Sequence, residues 1–344
     1  MHMADALISP AVGGTMWAAS ATLIGYNAKK VQKNLDDRTA PLMGVLGAFI
    51  FAAQMINFSI PGTGSSGHLG GGMILAILLG PHAAFLTMAS VLTIQALFFA
   101  DGGLLALGCN IFNLGFFPCF IAYPFIYKTI AGDSLTKMRI TTGSILAAII
   151  GLQFGSVAVV LQTVFSGISE LPFVKFLFIM QPIHLAIGIV EGFATAAVIL
   201  FVKNARPELL EPDSHVALQK KVSIKTVLAG IIGITILTAA VFSWFASTNP
   251  DGLEWSMFHT SGMEELETPK KDLYSSLSSI QEKTAILPDY GFKKEDSEAT
   301  ESVETWPGVD SGTSLSGLLG GLIIFLFIMG IGLGLKKKKK KAAS

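Results

Sequence analysis

The chain opens Met1-His2-Met3-Ala4-Asp5, and a histidine in second position gives a free N-terminus the means to chelate a metal. The α-amine, the backbone nitrogen of His2 and its imidazole can close fused five- and six-membered rings, with one corner of a square left open. Square-planar nitrogen coordination suits Ni²⁺ or Cu²⁺, whereas Zn²⁺ favours tetrahedral sites and Mg²⁺ and Ca²⁺ prefer oxygen. A histidine also occurs in second position by chance, so the pattern alone leaves both interpretations open.

A fourth nitrogen is available from His68, in the sequence GTGSSGHLGGG. The surrounding glycines allow a close approach of the backbone to a bound terminus. In the alternative interpretation His68 simply caps a helix. The predicted ligands are Met1, His2 and His68, and Asp5 and Ser66 are candidates for supporting them or coupling binding to transport.

A second polar cluster lies in QPIHLAIGIVEG, where His184 and Glu191 are seven residues apart and so share one helix face. A carboxylate inside a membrane is costly and usually functional. A role in coupling or in packing is favoured over direct metal ligation. The structural alternative is a buried pair satisfied by a neighbour such as Gln95.

A third cluster is ADGGLLALGCNIFNLG, which carries Asp101 in a loop and Asn110 and Asn113 on one helix face. Asparagines at this spacing can hydrogen-bond between membrane helices. We therefore expect a structural role for them more than a role in binding.

Composition and missing motifs exclude several classes of protein. Charged residues make up 14% of the chain, against about a quarter in soluble domains. No G-x-x-x-x-G-K-[ST], H-E-x-x-H or G-x-S-x-G motif occurs, so we expect no enzyme, and any ATP hydrolysis would belong to another protein. Nothing indicates nucleic-acid binding, and the lysine run Lys336–Lys341 beside an apolar stretch is typical of a contact with membrane lipid.

The apolar segments predict an all-α, polytopic membrane bundle of about nine helices, seven plus two. Eight segments are long enough for a hydrocarbon core of about 30 Å, and a ninth, 64–80, is short and rich in glycine. The eight are 8–28, 41–59, 83–100, 106–127, 140–165, 174–202, 225–246 and 314–335. The first basic residue is Lys29, so we expect no cleavable signal peptide.

Loop charges predict the orientation. Loops rich in Lys and Arg face the cytoplasm, which places 29–40, 128–139 and 203–225 inside. Loops 29–40 and 128–139 can both lie inside only if 64–80 also crosses the membrane, because an odd number of spans must then separate loop 60–67 from loop 128–139. The N-terminus is then extracytoplasmic and the C-terminus cytoplasmic, in a prokaryotic cell membrane.

The predicted domains follow from shifts in composition. Residues 1–203 form a seven-helix unit, 204–224 a cytoplasmic linker, 225–335 a two-helix unit and 336–344 a polylysine tail. Within the two-helix unit, 247–313 carries 14 acidic residues and 5 lysines, a local charge of −9, and is expected outside. Its composition predicts limited intrinsic order.

The opening MHMADALISP, the SGHLGGG loop, DGGLLALGCNIFN and HLAIGIVEG together resemble the CbiM/NikM family, and NPDGLEWS resembles the PDGLE domain, comparable to CbiN/NikN. The resemblance implies a seven-helix metal-binding component of an energy-coupling-factor transporter, with a site formed by Met1, His2 and His68. It also implies partners, namely a transmembrane coupling (T) component and two cytoplasmic ATPases, and a link to cobalamin biosynthesis.

The favoured hypothesis is therefore the substrate-capture component of an ATP-driven Ni²⁺ or Co²⁺ importer, with no cofactor beyond the transported ion. The alternatives are a self-sufficient metal channel or proton-coupled permease that uses His184 and Glu191, and a metal sensor acting through 247–313. Residue types do not separate nickel from cobalt, since both accept nitrogen ligands.

Overall fold

The computed structural model describes residues 2–132, 135–169, 171–207, 210, 223–263, 266, 268–269, 272–293 and 306–343. These residues form a helical bundle with one small β-hairpin. The helices are α1 Pro10–Asn34, α2 Thr39–Gln54, α3 Gly72–Leu79, α4 Pro81–Phe98, α5 Leu107–Ile111, α6 Lys128–Ala131, α7 Lys137–Ser166, α8 Phe173–Ala205, α9 Ile224–Ala240, α10 Gly252–Ser261, α11 Asp272–Thr284 and α12 Ser311–Ala343. A π-helical stretch, Phe112–Tyr127, joins α5 to α6.

Five stretches within the described residues are long and apolar enough to cross a membrane. They are Pro81–Phe98, Leu107–Ala131, Lys137–Ser166, Phe173–Ala205 and Ser311–Lys339. Thr39–Gln54 and Thr226–Ala240 are also apolar but shorter. The prediction of a polytopic helical membrane bundle is confirmed, while the number nine stays a prediction.

The glycine-rich segment 64–80, predicted as a short span, consists of a strand and a loop followed by one short helix. Strands β1 Phe58–Ile60 and β2 Ser65–Gly67 pair antiparallel, with Ser59 opposite Ser66. The helix α3 begins only at Gly72, after Gly71 adopts φ +76°, a conformation that glycine tolerates without strain. Eight residues of helix span about 12 Å, so α3 alone is too short to cross the hydrocarbon core.

Close helix packing relies on small residues. A Cβ added at Gly188 of α8 would lie 2.8 Å from Cα of Ile149 in α7, so the two backbones touch at this point. In the π-helical stretch, Pro118 and Pro124 lack the N–H that regular helical bonding needs. The helix α7 packs against both α8 and this π-helical stretch.

The last helix, α12, packs beside α2, α4 and α9 and so joins the second unit to the first. At its end, Lys336 Nζ lies 2.6 Å from Asp37 Oδ1, and Lys339 donates to the carbonyl of Leu35. The lysine run and the basic α1–α2 loop therefore share one end of the bundle. The N-terminal residues lie at the other end of α1, which is 25 residues, or about 37 Å, long.

The expectation of limited order in 247–313 is wrong for the described part of that stretch. The helices α10 and α11 are formed there, and Leu253, Tyr274 and Leu287 are buried against the first unit. The stretch 247–313 carries a local charge of −9, and this average composition conceals the few residues that are buried. Residues 264–265, 267, 270–271 and 294–305 lie outside the described residues, where limited order stays a prediction.

Candidate metal-capture site

The loop that carries His68 is held from behind by Glu191. The Oε2 and Oε1 atoms of Glu191 accept the N–H groups of Gly70 and Gly71 at 2.7 and 3.1 Å. The Nε2 atom of Gln54 donates to the Gly70 carbonyl at 2.9 Å. Gln95 does not satisfy Glu191, as the sequence had suggested; its amide donates to Gln54 instead. Glu191 therefore fixes the backbone directly after His68.

The N-terminal residues are anchored by Asn110. Its Oδ1 accepts the N–H of Met3 at 2.8 Å and its Nδ2 donates to the Met3 carbonyl at 3.2 Å. The buried Met3 sulfur accepts the Nδ2–H of Asn113 at 3.8 Å. Asn113 also exchanges hydrogen bonds with Gln162 of α7, at 2.8 and 3.0 Å, which is the bonding between helices that the sequence predicted. Asn110 instead positions the residue next to His2.

Asp5 connects the same terminal segment to the loop before α5. Its Oδ1 accepts the N–H of Ala106 at 2.9 Å, and burial raises the pKa of the Asp5 carboxyl despite that bond. The N–H of Gly103 donates to the Met3 carbonyl at 2.9 Å. The terminal segment is consequently tied to 103–106 by backbone and side chain together.

These anchors bring the two predicted histidine ligands into contact. The rings of His2 and His68 stack, with centroids 5.2 Å apart and 9° between their planes. The Nδ1 atom of His68 lies 3.2 Å from the Leu69 carbonyl oxygen. When Nδ1 donates its proton to that oxygen, Nε2 carries the lone pair. Desolvation lowers the pKa of His68 to about 3, so its imidazole is neutral at physiological pH. Met1 lies outside the described residues.

Asp101, which the sequence placed in a loop without a role, contacts His2 directly. Its Oδ1 lies 3.0 Å from Nδ1 of His2. Burial alone would raise the pKa of Asp101, but the charge and hydrogen bond of His2, together with the Tyr290 hydroxyl, lower it to about 2. Asp101 is therefore an ionised acceptor that orients the His2 ring.

His184 and Glu191 lie on the same face of α8, and both are buried. It does not join the His2 and His68 pair. Its Nδ1 lies 2.8 Å from the Met180 carbonyl, one helical turn before it. A small cavity separates it from His68.

The PDGLE motif of the second unit docks onto the His68 hairpin. The Pro250 carbonyl accepts the N–H of Ser66 at 2.8 Å, and the Ser66 hydroxyl donates to the Asn249 carbonyl at 2.8 Å. Ser66 thus binds the second unit. Asp251 then caps α10, accepting the N–H groups of Leu253 and Glu254 at 2.8 and 2.9 Å.

The remaining letters of the motif also have physical reasons. The Glu254 carboxylate accepts the Asp251 N–H at 3.0 Å, which completes a reciprocal capping box. A Cβ at Gly252 would lie 2.6 Å from a methyl carbon of Ile183 on α8, so only glycine fits there without displacement. Leu253 is buried. The motif therefore starts a helix and seats it on the first unit.

A second contact from the same unit reaches Asp101 from the opposite side. The Tyr290 hydroxyl donates to Asp101 Oδ2, and Gln281 Nε2 donates to the carbonyls of Ala96 and Gly102 at 2.9 and 2.8 Å. The Tyr274 hydroxyl donates to the carbonyl of Ile8 at 2.8 Å. Residues 272–290 thus brace the loop that holds His2.

The two units enclose an open cavity of about 560 Å³ beside the stacked histidines. Both His2 and His68 line it, and so do the carboxyl groups of Asp101, Asp251 and Glu254. Carboxylates around an opening favour the approach of a cation. Of the site residues that the sequence missed, Asp251 and Glu254 carry a recognisable signal, the D-x-x-E spacing of a capping box, whereas Tyr290 carries none.

Comparison with known proteins matches both parts of the chain. The family model for the cobalt uptake substrate-specific transmembrane region, CbiM, matches residues 2–209, and the PDGLE domain matches 225–337. A protein of Archaeoglobus fulgidus named as a fused nickel transport protein, NikMN, is 32% identical over 94% of this chain and 95% of its own length.

Two further similarities each cover 62% of the chain. The fused nickel transport protein NikMN of Rhodobacter capsulatus is 30% identical over 62% of this chain and 64% of its own length. A crystal structure described as a transition metal transporter is 30% identical, with a TM-score of 0.54 over 62% of this chain and 98% of that one. The chain therefore belongs to the CbiM family of cobalt uptake substrate-specific transmembrane regions, and it carries a PDGLE domain behind that region.

Proposed function

We propose that this chain is the substrate-capture membrane component of an ATP-driven importer of Ni²⁺ or Co²⁺. The observation that carries the proposal is the stacked pair of His2 and His68, 5.2 Å apart beside an open, acidic cavity. The α-amine of Met1, the backbone nitrogen of His2 and the imidazole of His2 would form the chelate, and His68 would complete the square. The relatives' names as nickel and cobalt transport proteins agree with this metal class.

Capture requires a change at His2. The six-membered chelate ring uses Nδ1, the atom that lies 3.0 Å from Asp101. Binding therefore exchanges the Asp101 hydrogen bond for a bond to the metal, through a turn of the imidazole ring about its Cβ–Cγ bond. Asp101 keeps the ring oriented in the empty site and its charge remains close to the incoming cation.

The proposed orientation puts the chelate outside the cell and the lysine run inside. The pairing of Lys336 with Asp37 places the tail at the basic end of the bundle, and basic loops favour the cytoplasm. The chain itself carries no G-x-x-x-x-G-K-[ST] phosphate-binding loop. A transmembrane coupling protein and two cytoplasmic ATPases are therefore proposed as partners, with energy supplied by them.

Uptake of radioactive nickel tests this proposal. Cells without other nickel importers would produce the chain alone, the chain with its coupling protein and ATPases, and the same set with an ATPase whose P-loop lysine is changed. We expect uptake only in the complete, active set, and uptake lost with His2→Ala but kept with His82→Ala, a histidine bonded to Asn27 far from the site. Equal uptake by the chain alone would favour the channel or permease instead.

A further inference from the structure

His184 presents a buried nitrogen that nothing in the capture site uses. Its Nδ1 lies 2.8 Å from the Met180 carbonyl, which can only accept, so Nδ1 carries the proton and Nε2 carries the lone pair. Among the described residues Nε2 is buried and has no hydrogen-bond partner. Buried acceptors of this kind are uncommon in folded proteins and call for a ligand or a water.

A small cavity of about 10 Å³ lies between His184 and His68. This is about the space of one water molecule or one small ion. His68 and Asp251 line both this inner cavity and the outer one of about 560 Å³, so they lie at the boundary between the two cavities. An ion released from the terminal chelate beside His68 would meet His184 next.

The lining of the inner cavity suits a partly dehydrated metal ion. Asp251 contributes a carboxylate, which offsets the charge of a cation, and Leu114, Leu152 and Ile187 close the other sides with apolar surface. Imidazole nitrogen is a good ligand for Ni²⁺ and Co²⁺ and a poor one for Mg²⁺ and Ca²⁺. The chemistry of the cavity therefore matches the proposed cargo.

Resting on the proposed function, we infer that His184 Nε2 and His68 form an inner, weaker holding site for the same ion, one step along the path from the terminal chelate. Two imidazoles bind less tightly than four nitrogens in a plane. A transit site must be weak enough to release its ion. His68 would serve both sites, and His184 would receive the ion from the outer one.

Nickel titration of the purified full chain separates the two sites. The variant His184→Asn removes Nε2 and can keep the bond to the Met180 carbonyl, since Asn27 makes the same bond one turn back in α1. We expect His184→Asn to bind one Ni²⁺ with an affinity within threefold of the unchanged chain. We expect His2→Ala to retain one binding event at least 100-fold weaker, and the double variant to weaken that event by a further tenfold or more.

The matched control is His259→Asn, because His259 also lies 2.8 Å from the carbonyl one turn earlier but stands exposed on α10. It should change neither the tight binding of the unchanged chain nor, when combined with His2→Ala, the weaker binding of that variant. The inner site would be overturned if His2→Ala showed no residual binding, or if the double variant bound nickel as tightly as His2→Ala. The capture proposal would stand in both cases. If His2→Ala titrates like the unchanged chain, the capture proposal itself fails. Full-stoichiometry binding by His184→Asn shows that this variant is folded.

Discussion

The two units of the chain reach the site by different means. The first unit contributes both imidazoles, and it fixes them with buried, charged or reciprocal hydrogen bonds from Glu191 and Asn110. The second unit contributes no imidazole to the pair. It contacts the backbone of the His68 hairpin through Pro250 and contacts Asp101 through Tyr290. The proposed histidine ligands therefore lie in the first unit, and the contacts that surround them come in part from the second.

This difference assigns different consequences to changes in each unit. Loss of a histidine ligand in the first unit removes a bond to the metal, whereas loss of a contact in the second unit loosens the residues that surround the ligands. Surrounding contacts of metal ligands are typically worth about 10- to 100-fold in affinity, and the ligands themselves more. A graded series of variants can test whether the two units differ in this way.

The largest effect is expected from His68→Ala. Removing the fourth nitrogen should weaken Ni²⁺ binding by about 1,000-fold, more than the usual loss for a supporting residue. Isothermal titration of the purified protein measures this, with His82→Ala on α4 as the control. If the Ni²⁺ affinity of His68→Ala is within threefold of that of the unchanged chain, His68 is not a ligand and the first unit does not supply both imidazoles.

Glu191→Ala should come next. It leaves the N–H groups of Gly70 and Gly71 without their acceptor, and each buried orphan costs about 1–3 kcal/mol. The loop after His68 should shift, so nickel affinity should fall about 10- to 100-fold. Glu191→Gln keeps one acceptor oxygen and should fall in between. Equal affinity of all three proteins in the same titration would show that the loop needs no anchor.

In the second unit, Asp251→Ala should have a smaller effect. Loss of an N-cap costs about 1 kcal/mol, so nickel affinity should fall about fivefold as α10 loosens over the hairpin. Ser223→Ala is the matched control, because Ser223 caps α9 by accepting the Thr226 N–H far from the site. A loss as large as that of His68→Ala would mean that Asp251 is itself a ligand of the captured metal, and not a helix cap with a nearby charge.

The smallest effect is expected from Tyr290→Phe. Without the hydroxyl, Asp101 becomes a stronger acceptor for His2 Nδ1 and competes better with the metal, so affinity should fall about two- to threefold, less than about 1 kcal/mol. Tyr274→Phe removes a similar bond, to the Ile8 carbonyl, but does not touch Asp101. Tighter nickel binding by Tyr290→Phe would reverse the role given to this contact.

The sequence predicted the helical membrane bundle and the pair His2 and His68 because the relevant signals are local. Long apolar segments and glycines around one histidine are visible in short windows. It also favoured a structural role for Asn110 and Asn113, since their spacing on one helix face is local too.

What the sequence did not show depends on contacts between distant parts of the chain. The bond between Tyr290 and Asp101 joins residues 189 positions apart, and no periodicity marks either one. The structural alternative named Gln95 as a possible partner of Glu191, but the partners are Gly70 and Gly71, because a helix face does not indicate which loop folds against it. The helices α10 and α11 were missed because a few buried residues hold a stretch whose average composition is charged.

The most direct test of the capture site uses the first atom of the chain. Two residues added before Met1 turn the proposed amine ligand into an amide, while no packing residue among those described is changed. Nickel titration of the native and extended proteins, purified in parallel and matched for helical content by circular dichroism, compares them. We predict a loss of affinity of at least about 100-fold on extension, and an extended protein that binds nickel as tightly as the native one would contradict the terminal chelate.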